Sequence, residues 1–180
     1  MEICKTHIDG LLVIKPDIYS DERGYFYESY NENRYREMGI DVAFVQDNQS
    51  CSKKGVVRGL HFQRPPYAQD KLVRVLQGSV IDVAVDLRKN SPTYGEHHAV
   101  LLSGENHLQF FIPKGFAHGF VALEDDTVFA YKCSAFYHKD SEGTIRFDDP
   151  DLNIDWKTGH PIVNEKDLHS ENFRTFKTMF

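Results

Sequence analysis

The chain has 180 residues, of which 41% are hydrophobic and 13% aromatic, and its formal net charge is −6. This length favours one domain over residues 1–180 with a sizeable core. The acidic balance argues against nucleic-acid binding, which needs a dense basic surface. No apolar run is long enough to span a membrane, and the first residues are too polar for a signal peptide. We therefore expect a cytoplasmic protein that does not enter a membrane.

The first fifty residues predict short strands and one helix. Proline ends the first strand, and an acidic turn over 21–24 precedes an aromatic segment with the composition of a strand. An Asn near the start and a Gly at the end delimit a short helix. The predicted strands are 11–16, 25–30 and 44–50, and the predicted helix is 31–39.

Residues 55–63 contain the residue types best suited to catalysis. Apolar and polar residues alternate through it, which is typical of a strand. Arg58 carries a fixed positive charge, and His61 follows it three residues later. An imidazole can take or give a proton near neutral pH, and the glycines of this stretch allow close approach of a ligand or of backbone. The stretch is therefore a candidate active site.

The second half of the chain predicts strands in quick succession, separated by turns that contain Gly, Pro, Asn and Asp. Short strands at this spacing indicate an all-β sandwich or barrel such as a jelly roll, with a few short helices. A short helix is expected over 164–168, and the phenylalanines at 173, 176 and 180 are expected to pack on the core. The predicted strands are 71–76, 80–87, 97–102, 109–112, 119–123 and 127–134.

The histidines raise the question of a metal, because the sequence partly resembles the metal-binding cupin pattern. The second half of that pattern is intact over 113–118 and ends at His118. In the first half, Gln63 and Lys71 stand where a metal would need an imidazole and a carboxylate. An ammonium has no lone pair and repels a divalent cation. We therefore expect no bound metal.

A base beside a fixed ammonium suits the removal of a proton next to a ketone. His61 is the candidate base, and Lys71 is the candidate for stabilising the oxygen of the resulting enolate. A carboxylate on the far ring nitrogen would orient the imidazole. The sequence leaves three candidates for this carboxylate open, namely Asp82, Asp86 and Asp167.

An epimerisation also needs a second group that returns the proton on the opposite face. A tyrosine can act in this way, and Tyr131 and Tyr137 lie on or just after a late predicted strand. Each of these residues taken singly is more typical of an ordinary structural role.

Taken in order, the motifs closely resemble the dTDP-4-dehydrorhamnose 3,5-epimerases, which are cofactor-free sugar-nucleotide epimerases of rhamnose biosynthesis. Any one motif is weak, but the ordered set covers nearly the whole chain and is highly specific. The matching segments are 21–26, 44–50, 55–63, 71–78, 113–119, 131–133, 148–150 and 154–156.

This resemblance implies a cupin-like jelly-roll subunit in a homodimer whose N-terminal strands are exchanged, with neither metal nor nicotinamide. The implied substrate is dTDP-4-dehydro-6-deoxy-D-glucose. The implied reaction inverts the two carbons that flank the ketone and gives dTDP-4-dehydro-L-rhamnose.

The resemblance also implies roles for individual residues. His61 would be the general base, oriented by Asp167, with Lys71 stabilising the enolate and Tyr131 acting as the acid on the opposite face. A further group would bind the substrate. Arg58 would lie near the diphosphate and the sugar, Gln46, Asn48 and His118 would line the pocket, and Tyr137 would pack by the nucleotide. Arg23, Phe26 and Glu28 would reach the nucleotide of the neighbouring subunit, Phe26 by stacking on thymine.

Three other functions remain open from the sequence. A related enzyme that inverts only one carbon of a dTDP-4-keto sugar would share the same catalytic residues. A metal-dependent cupin enzyme and a non-catalytic module that binds sugar nucleotides are the other two. The simultaneous presence of His61, Lys71 and Tyr131 disfavours the binding module.

Overall fold

Short β-prone stretches between turn residues dominate the chain, and they form thirteen strands. The computed structural model describes every residue, Met1–Phe180. No helix of the chain has the length and apolar character needed to cross a membrane. The strands are β1 (Glu2–Lys5), β2 (Leu12–Lys15), β3 (Tyr19–Asp21), β4 (Gly24–Phe26), β5 (Gln46–Ser52), β6 (Val57–Gln63), β7 (Lys71–Gln77), β8 (Ser79–Asp86), β9 (His97–Ser103), β10 (Gln109–Ile112), β11 (Phe116–Ala122), β12 (Thr127–Cys133) and β13 (Glu142–Thr144).

Three short helical segments complete the secondary structure. They are α1 (Glu32–Glu37), a 3₁₀ turn (Lys139–Ser141) and α2 (Glu165–Leu168). Both α-helices begin after an asparagine whose side chain accepts a backbone N–H from the first turn, Asn31 for α1 and Asn164 for α2. This capping stabilises helices too short to persist alone.

Two antiparallel sheets carry the fold. One has the strand order β1-β2-β10-β7-β12-β5, and the other has the order β13-β6-β11-β8-β9. A separate hairpin, β3-β4, stands apart from both. The non-sequential strand order and the two stacked sheets confirm the predicted all-β jelly-roll sandwich.

Apolar side chains fill three layers around these sheets. The inner layer joins residues of both sheets, such as Phe110 and Phe129 from one and Val80 and Phe120 from the other. The outer face of the five-stranded sheet is covered by the last part of the chain, including Trp156 and Phe176. Phe173 and Phe180 also pack against this layer, which confirms the packing role predicted for the phenylalanines of the tail.

The third layer lies on the outer face of the six-stranded sheet. There α1 packs its buried Tyr35 near Ile14, Leu72 and Phe111. The hydroxyl of Tyr35 donates to the buried side chain of Gln109 at 2.7 Å, so the ring can be buried without an unpaired polar atom.

Several element boundaries differ from the prediction. The aromatic strand predicted over 25–30 is wrong beyond Phe26, because β4 ends there and pairs only with β3 in an exposed hairpin. β11 begins at Phe116, earlier than predicted, and therefore includes His118. β1, β3 and β13 were not predicted, because β1 and β3 are largely exposed and β13 has only three residues.

Two glycines allow β6 and β11 to approach closely beside the candidate active site. A Cβ on Gly119 would lie 2.8 Å from the carbonyl oxygen of Arg58 and 3.0 Å from the Cα of Gly59. The strand register shifts at this point, between His118 and Phe120. The close approach places His118 directly opposite His61 in the ladder.

We expect Gly119→Ala to lower the free energy of unfolding by about 1–3 kcal/mol, because the added methyl group must displace backbone rather than a flexible side chain. Gly159→Ala is the matched control, since a Cβ there meets nothing within 4 Å. Urea titrations of both variants measure the difference. Equal midpoints for the two alanine variants would contradict this view of the strand crossing.

Candidate active site

A cavity of about 370 Å³ opens between the two sheets and has walls from both. Arg58, His61 and His118 reach it from the five-stranded sheet, and Lys71 and Tyr131 reach it from the six-stranded sheet. The structure therefore gathers side chains that are far apart in the sequence. The predicted site residues that line the cavity are Gln46, Asn48, Arg58, His61, Lys71, His118, Tyr131 and Tyr137.

Asp167 lies behind His61, and its side chain is completely buried. Its Oδ1 is 2.7 Å from Nε2 of His61, although the two residues are 106 positions apart in the chain. Its Oδ2 accepts the backbone N–H of Gly59 and the side-chain amide of Asn164, both at 3.3 Å. Three donors thus surround the carboxylate, which satisfies a buried charge.

This bond decides which ring nitrogen of His61 is available for chemistry. A carboxylate accepts only, so Nε2 must carry the proton that it shares with Asp167. Nδ1 then keeps its lone pair. The His61 side chain is 33% exposed, so the free nitrogen can meet a molecule in the cavity.

The structure distinguishes the three carboxylates that the sequence left open. Asp167 is the partner of His61. Asp82 instead pairs with Nε2 of His118 at 3.0 Å, also fully buried. Asp86 pairs with Arg88 and accepts from neighbouring hydroxyl groups in a turn away from the cavity.

Lys71 places an ammonium in the cavity although its residue is only 8% exposed. Its Nζ donates to the backbone carbonyl of His61 at 3.4 Å. Burial lowers the pKa of Lys71, and the nearby Cys133, Asp82 and Glu142 partly oppose this effect. The ammonium is a buried charge with no carboxylate in direct contact, so it is well suited to bind a negative oxygen.

Tyr131 approaches the cavity from the sheet opposite to that of His61. Burial raises the pKa of the Tyr131 phenol, and Cys133 adds to this effect, while the charge of Arg58 opposes it. The phenol therefore stays protonated at neutral pH and can donate a proton. Arg58 is close enough to stabilise the phenolate that remains.

The remaining wall of the cavity is polar. Arg58 donates to the hydroxyl of Ser52 and to the carbonyl of Cys51, both of which are neutral, so its charge remains available for an anion. The side chain of Gln46 donates to Asn48 at 3.0 Å and accepts the backbone N–H of Tyr137 at 2.9 Å. These amides fix the edge of the cavity beside Tyr137.

The donor set of the cavity does not fit a metal. Gln63 is buried, and its amide is used to hold three backbone groups, of Tyr67, Phe136 and His138. Lys71 supplies a positive charge on the facing sheet. No group of three or more His, Cys, Asp or Glu side chains is arranged to hold a metal ion.

Three predicted substrate-binding residues lie away from the cavity. Arg23 and Phe26 belong to the exposed hairpin β3-β4, where Arg23 pairs with Asp21 and Phe26 is 71% exposed. Glu28 follows the hairpin and pairs with Arg34. Within one chain these residues do not meet His61.

Two residues of the site were missed by sequence reasoning. Asn164 lines the cavity, caps α2 and donates to Asp167. Its place before an acidic helix start was visible as a cap signal, but its contact with the cavity was not. Glu142 also lines the cavity, and the three-residue strand that carries it gave no periodic signal.

The amino-acid sequence matches known proteins over nearly its whole length. Residues 5–175 match the family model described as dTDP-4-dehydrorhamnose 3,5-epimerase. A protein of that name from Methanothermobacter thermautotrophicus is 55% identical over 173 residues, which cover 94% of this chain and 93% of the relative.

Solved structures agree with this match. A dTDP-6-deoxy-D-glucose-3,5-epimerase from Legionella pneumophila, in complex with dTDP-4-keto-L-rhamnose, is 51% identical, with a TM-score of 0.94 over 98% of this chain and 94% of that one. A 3'-monoepimerase from Streptomyces bikiniensis is more distant, at 31% identity and a TM-score of 0.90 over 94% of this chain and 87% of that one. The chain belongs to the dTDP-4-dehydrorhamnose 3,5-epimerase family.

Proposed function

We propose that this chain inverts both carbons flanking the ketone of dTDP-4-dehydro-6-deoxy-D-glucose and so produces dTDP-4-dehydro-L-rhamnose for dTDP-rhamnose biosynthesis. The observation that carries the proposal is the cavity itself. A histidine held by a buried carboxylate projects from one sheet, and a protonated tyrosine projects from the other. This arrangement supports removing a proton from one face of a ring carbon and adding one to the opposite face.

The proton path follows from the state of each group. Nδ1 of His61 takes the proton from a carbon next to the ketone, and the electron pair of that C–H bond moves into the enolate. Asp167 stabilises the imidazolium that forms. The Tyr131 phenol then protonates the same carbon from the opposite face, which inverts it. Exchange with water returns a proton to the phenolate and removes one from the imidazolium.

Lys71 stabilises the enolate between these two steps. The negative charge of the intermediate resides mainly on the former ketone oxygen, and a cation in a dry cavity lowers its energy far more than it would in water. Because burial lowers the pKa of Lys71, the ammonium can also share its proton with this oxygen. The same cation serves both carbons, since they flank one ketone.

The remaining residues bind the substrate in this proposal. Arg58 lies near the diphosphate and the sugar, Gln46, Asn48 and His118 line the pocket, and Tyr137 packs by the nucleotide. Each lies at the cavity, which supports these assignments.

The hairpin residues suit a different arrangement. We propose that residues 1–180 act as one domain within a homodimer with exchanged N-terminal strands, where Arg23, Phe26 and Glu28 reach the nucleotide of the neighbouring subunit. The exposure of Phe26, at 71%, and its distance from the cavity within one chain support this. A monomeric mass in sedimentation equilibrium would contradict it.

A single-carbon epimerase is the second candidate, because the 3'-monoepimerase shares this fold closely. Such an enzyme would need the same base and the same cation. The higher identity to 3,5-epimerases favours inversion at both carbons.

Incubation with the dTDP-keto sugar in deuterated water separates these candidates. We expect NMR of the product to show deuterium at both carbons that flank the ketone, because each loses its original proton to His61 and gains one that has equilibrated with solvent. Label at one carbon alone would establish the single-carbon reaction. The absence of any label would overturn the epimerase proposal.

Replacing Lys71 by methionine tests the role of the buried ammonium. We expect kcat to fall by about 100-fold or more, since the enolate loses its counter-charge, while stability at neutral pH stays equal or rises, because methionine removes a buried charge. Because the pKa of Lys71 is lowered in the folded protein, the unfolded chain binds more protons than the folded protein at pH values between the folded and unfolded pKa values. The stability of the unmutated protein therefore rises with pH across that window, and the methionine variant lacks this rise.

Lys157→Met is the matched control, because Lys157 is an exposed lysine paired with Asp155 away from the cavity. It should keep both the activity and the pH dependence of stability of the unmutated protein. Normal turnover in Lys71→Met would refute the proposed role of this lysine.

A further inference from the structure

A chain of polar contacts links the rim of the cavity to the helix that carries Asp167. The hydroxyl of Tyr137 donates to Oε2 of Glu142 at 3.1 Å. The other oxygen of Glu142, Oε1, lies 2.5 Å from Nζ of Lys166. Lys166 directly precedes Asp167 in α2. One carboxylate thus connects a rim tyrosine with the residue next to the partner of His61.

The backbone around Tyr137 is fixed by hydrogen bonds that do not belong to this series of polar contacts. Gln46 accepts the N–H of Tyr137 at 2.9 Å. The amide of Gln63 accepts the N–H of His138 at 2.7 Å and donates to the carbonyl of Phe136 at 3.2 Å. The side chain of Tyr137, by contrast, belongs to a residue that is 57% exposed. Its hydroxyl contact with Glu142 is therefore the part that an arriving ligand can change.

Helix α2, at the other end of this series of polar contacts, has little stability of its own. α2 has four residues, and helices of this length do not persist without tertiary contacts. Asp167 and Asn164 attach its inner side to the site. The ion pair of Lys166 with Glu142 attaches it to β13, which is paired with β6 next to His61.

Glu142 also lies beside His61. Both side chains line the same cavity, and Thr144, two residues after Glu142, pairs with His61 in the ladder. Burial alone would raise the pKa of Glu142, but the hydrogen bond and charge of Lys166 outweigh it, with contributions from Tyr137 and His61, so the pKa is lowered. Glu142 is therefore ionised at neutral pH, and Lys166 neutralises it.

We propose that Glu142 and Lys166 are positioning residues, which hold α2 and its Asp167 against His61 and balance the charge beside this base, with Tyr137 linking the pair to the bound ligand. The inference rests on the proposed function and deepens it. The Glu142–Lys166 pair gives His61 a compensated carboxylate in addition to its direct partner. A ligand that draws the hydroxyl of Tyr137 away from Glu142 changes that balance where the base acts.

Several other groups face His61, and they do not change in the variants that test this idea. Asp167 lies on α2, and Lys71 contacts the His61 carbonyl from the facing sheet. These unchanged groups are Asp167 on α2, His118 on β11, Lys71 on β7 and Tyr131 on β12, with Arg58 on the strand of His61 itself. Glu142 on β13 and Lys166 on α2 are the groups that the variants change.

The test is the acidic limb of the kcat/KM profile against pH, which reports protonation of the base in the free enzyme. Glu142→Gln removes a negative charge that favours imidazolium, so the limb should move to lower pH. Lys166→Met leaves Glu142 uncompensated, so the limb should move to higher pH. Lys166→Arg keeps the charge and should restore the original limb. Tyr137→Phe loses one hydrogen bond and should change kcat/KM by about 2- to 10-fold.

A purely structural role would lower activity without moving the acidic limb in opposite directions in the two charge variants. Opposite displacements of the limb would therefore support the inference. Displacement in the same direction, or none in either variant, would overturn the inference. Lys157→Met serves again as the control and should leave the limb in place. The unmutated protein distinguishes a failure of this inference from a failure of the proposed function. If the unmutated protein fails to incorporate deuterium, the epimerase reaction itself is refuted.

Discussion

The candidate active site depends on one bond, between the buried carboxylate of Asp167 and Nε2 of His61. It joins β6 to a four-residue helix near the end of the chain, and it fixes which nitrogen of the imidazole is free. A carboxylate with no exposure would be costly without donors. Asn164 and the N–H of Gly59 supply them, so the cap of α2 and the glycine in β6 both serve this bond.

The two-sheet architecture places His61, which this bond holds, on the wall of the cavity opposite Tyr131. The proposed base on one sheet and the proposed acid on the other can reach opposite faces of a ring held between them. The burial that keeps the Tyr131 phenol protonated also makes the charge of Lys71 effective, because both effects come from the exclusion of water. The jelly roll therefore provides the dry, two-walled space that the proposed chemistry needs.

Local pattern predicted most of the fold, because alternation and turn residues act over a few positions. β10 and the two short helices, α1 and α2, followed from such signals. Pairing across the chain did not, which is why Asp82, Asp86 and Asp167 were equivalent in the sequence until the resemblance favoured Asp167. Glu142 was missed because its role arises from contacts with Tyr137 and Lys166, which no local pattern encodes.

Replacing the Tyr131 phenol tests the central claim of a base and an acid on opposite walls most directly. In Tyr131→Phe, His61 still removes the proton but no group returns one to the opposite face. In deuterated water we predict that the substrate exchanges its proton at the carbon next to the ketone while its configuration is retained, as read by NMR. Two results would contradict the account. One is inversion at the rate of the unmutated protein. The other is the loss of both exchange and inversion in a variant that remains folded.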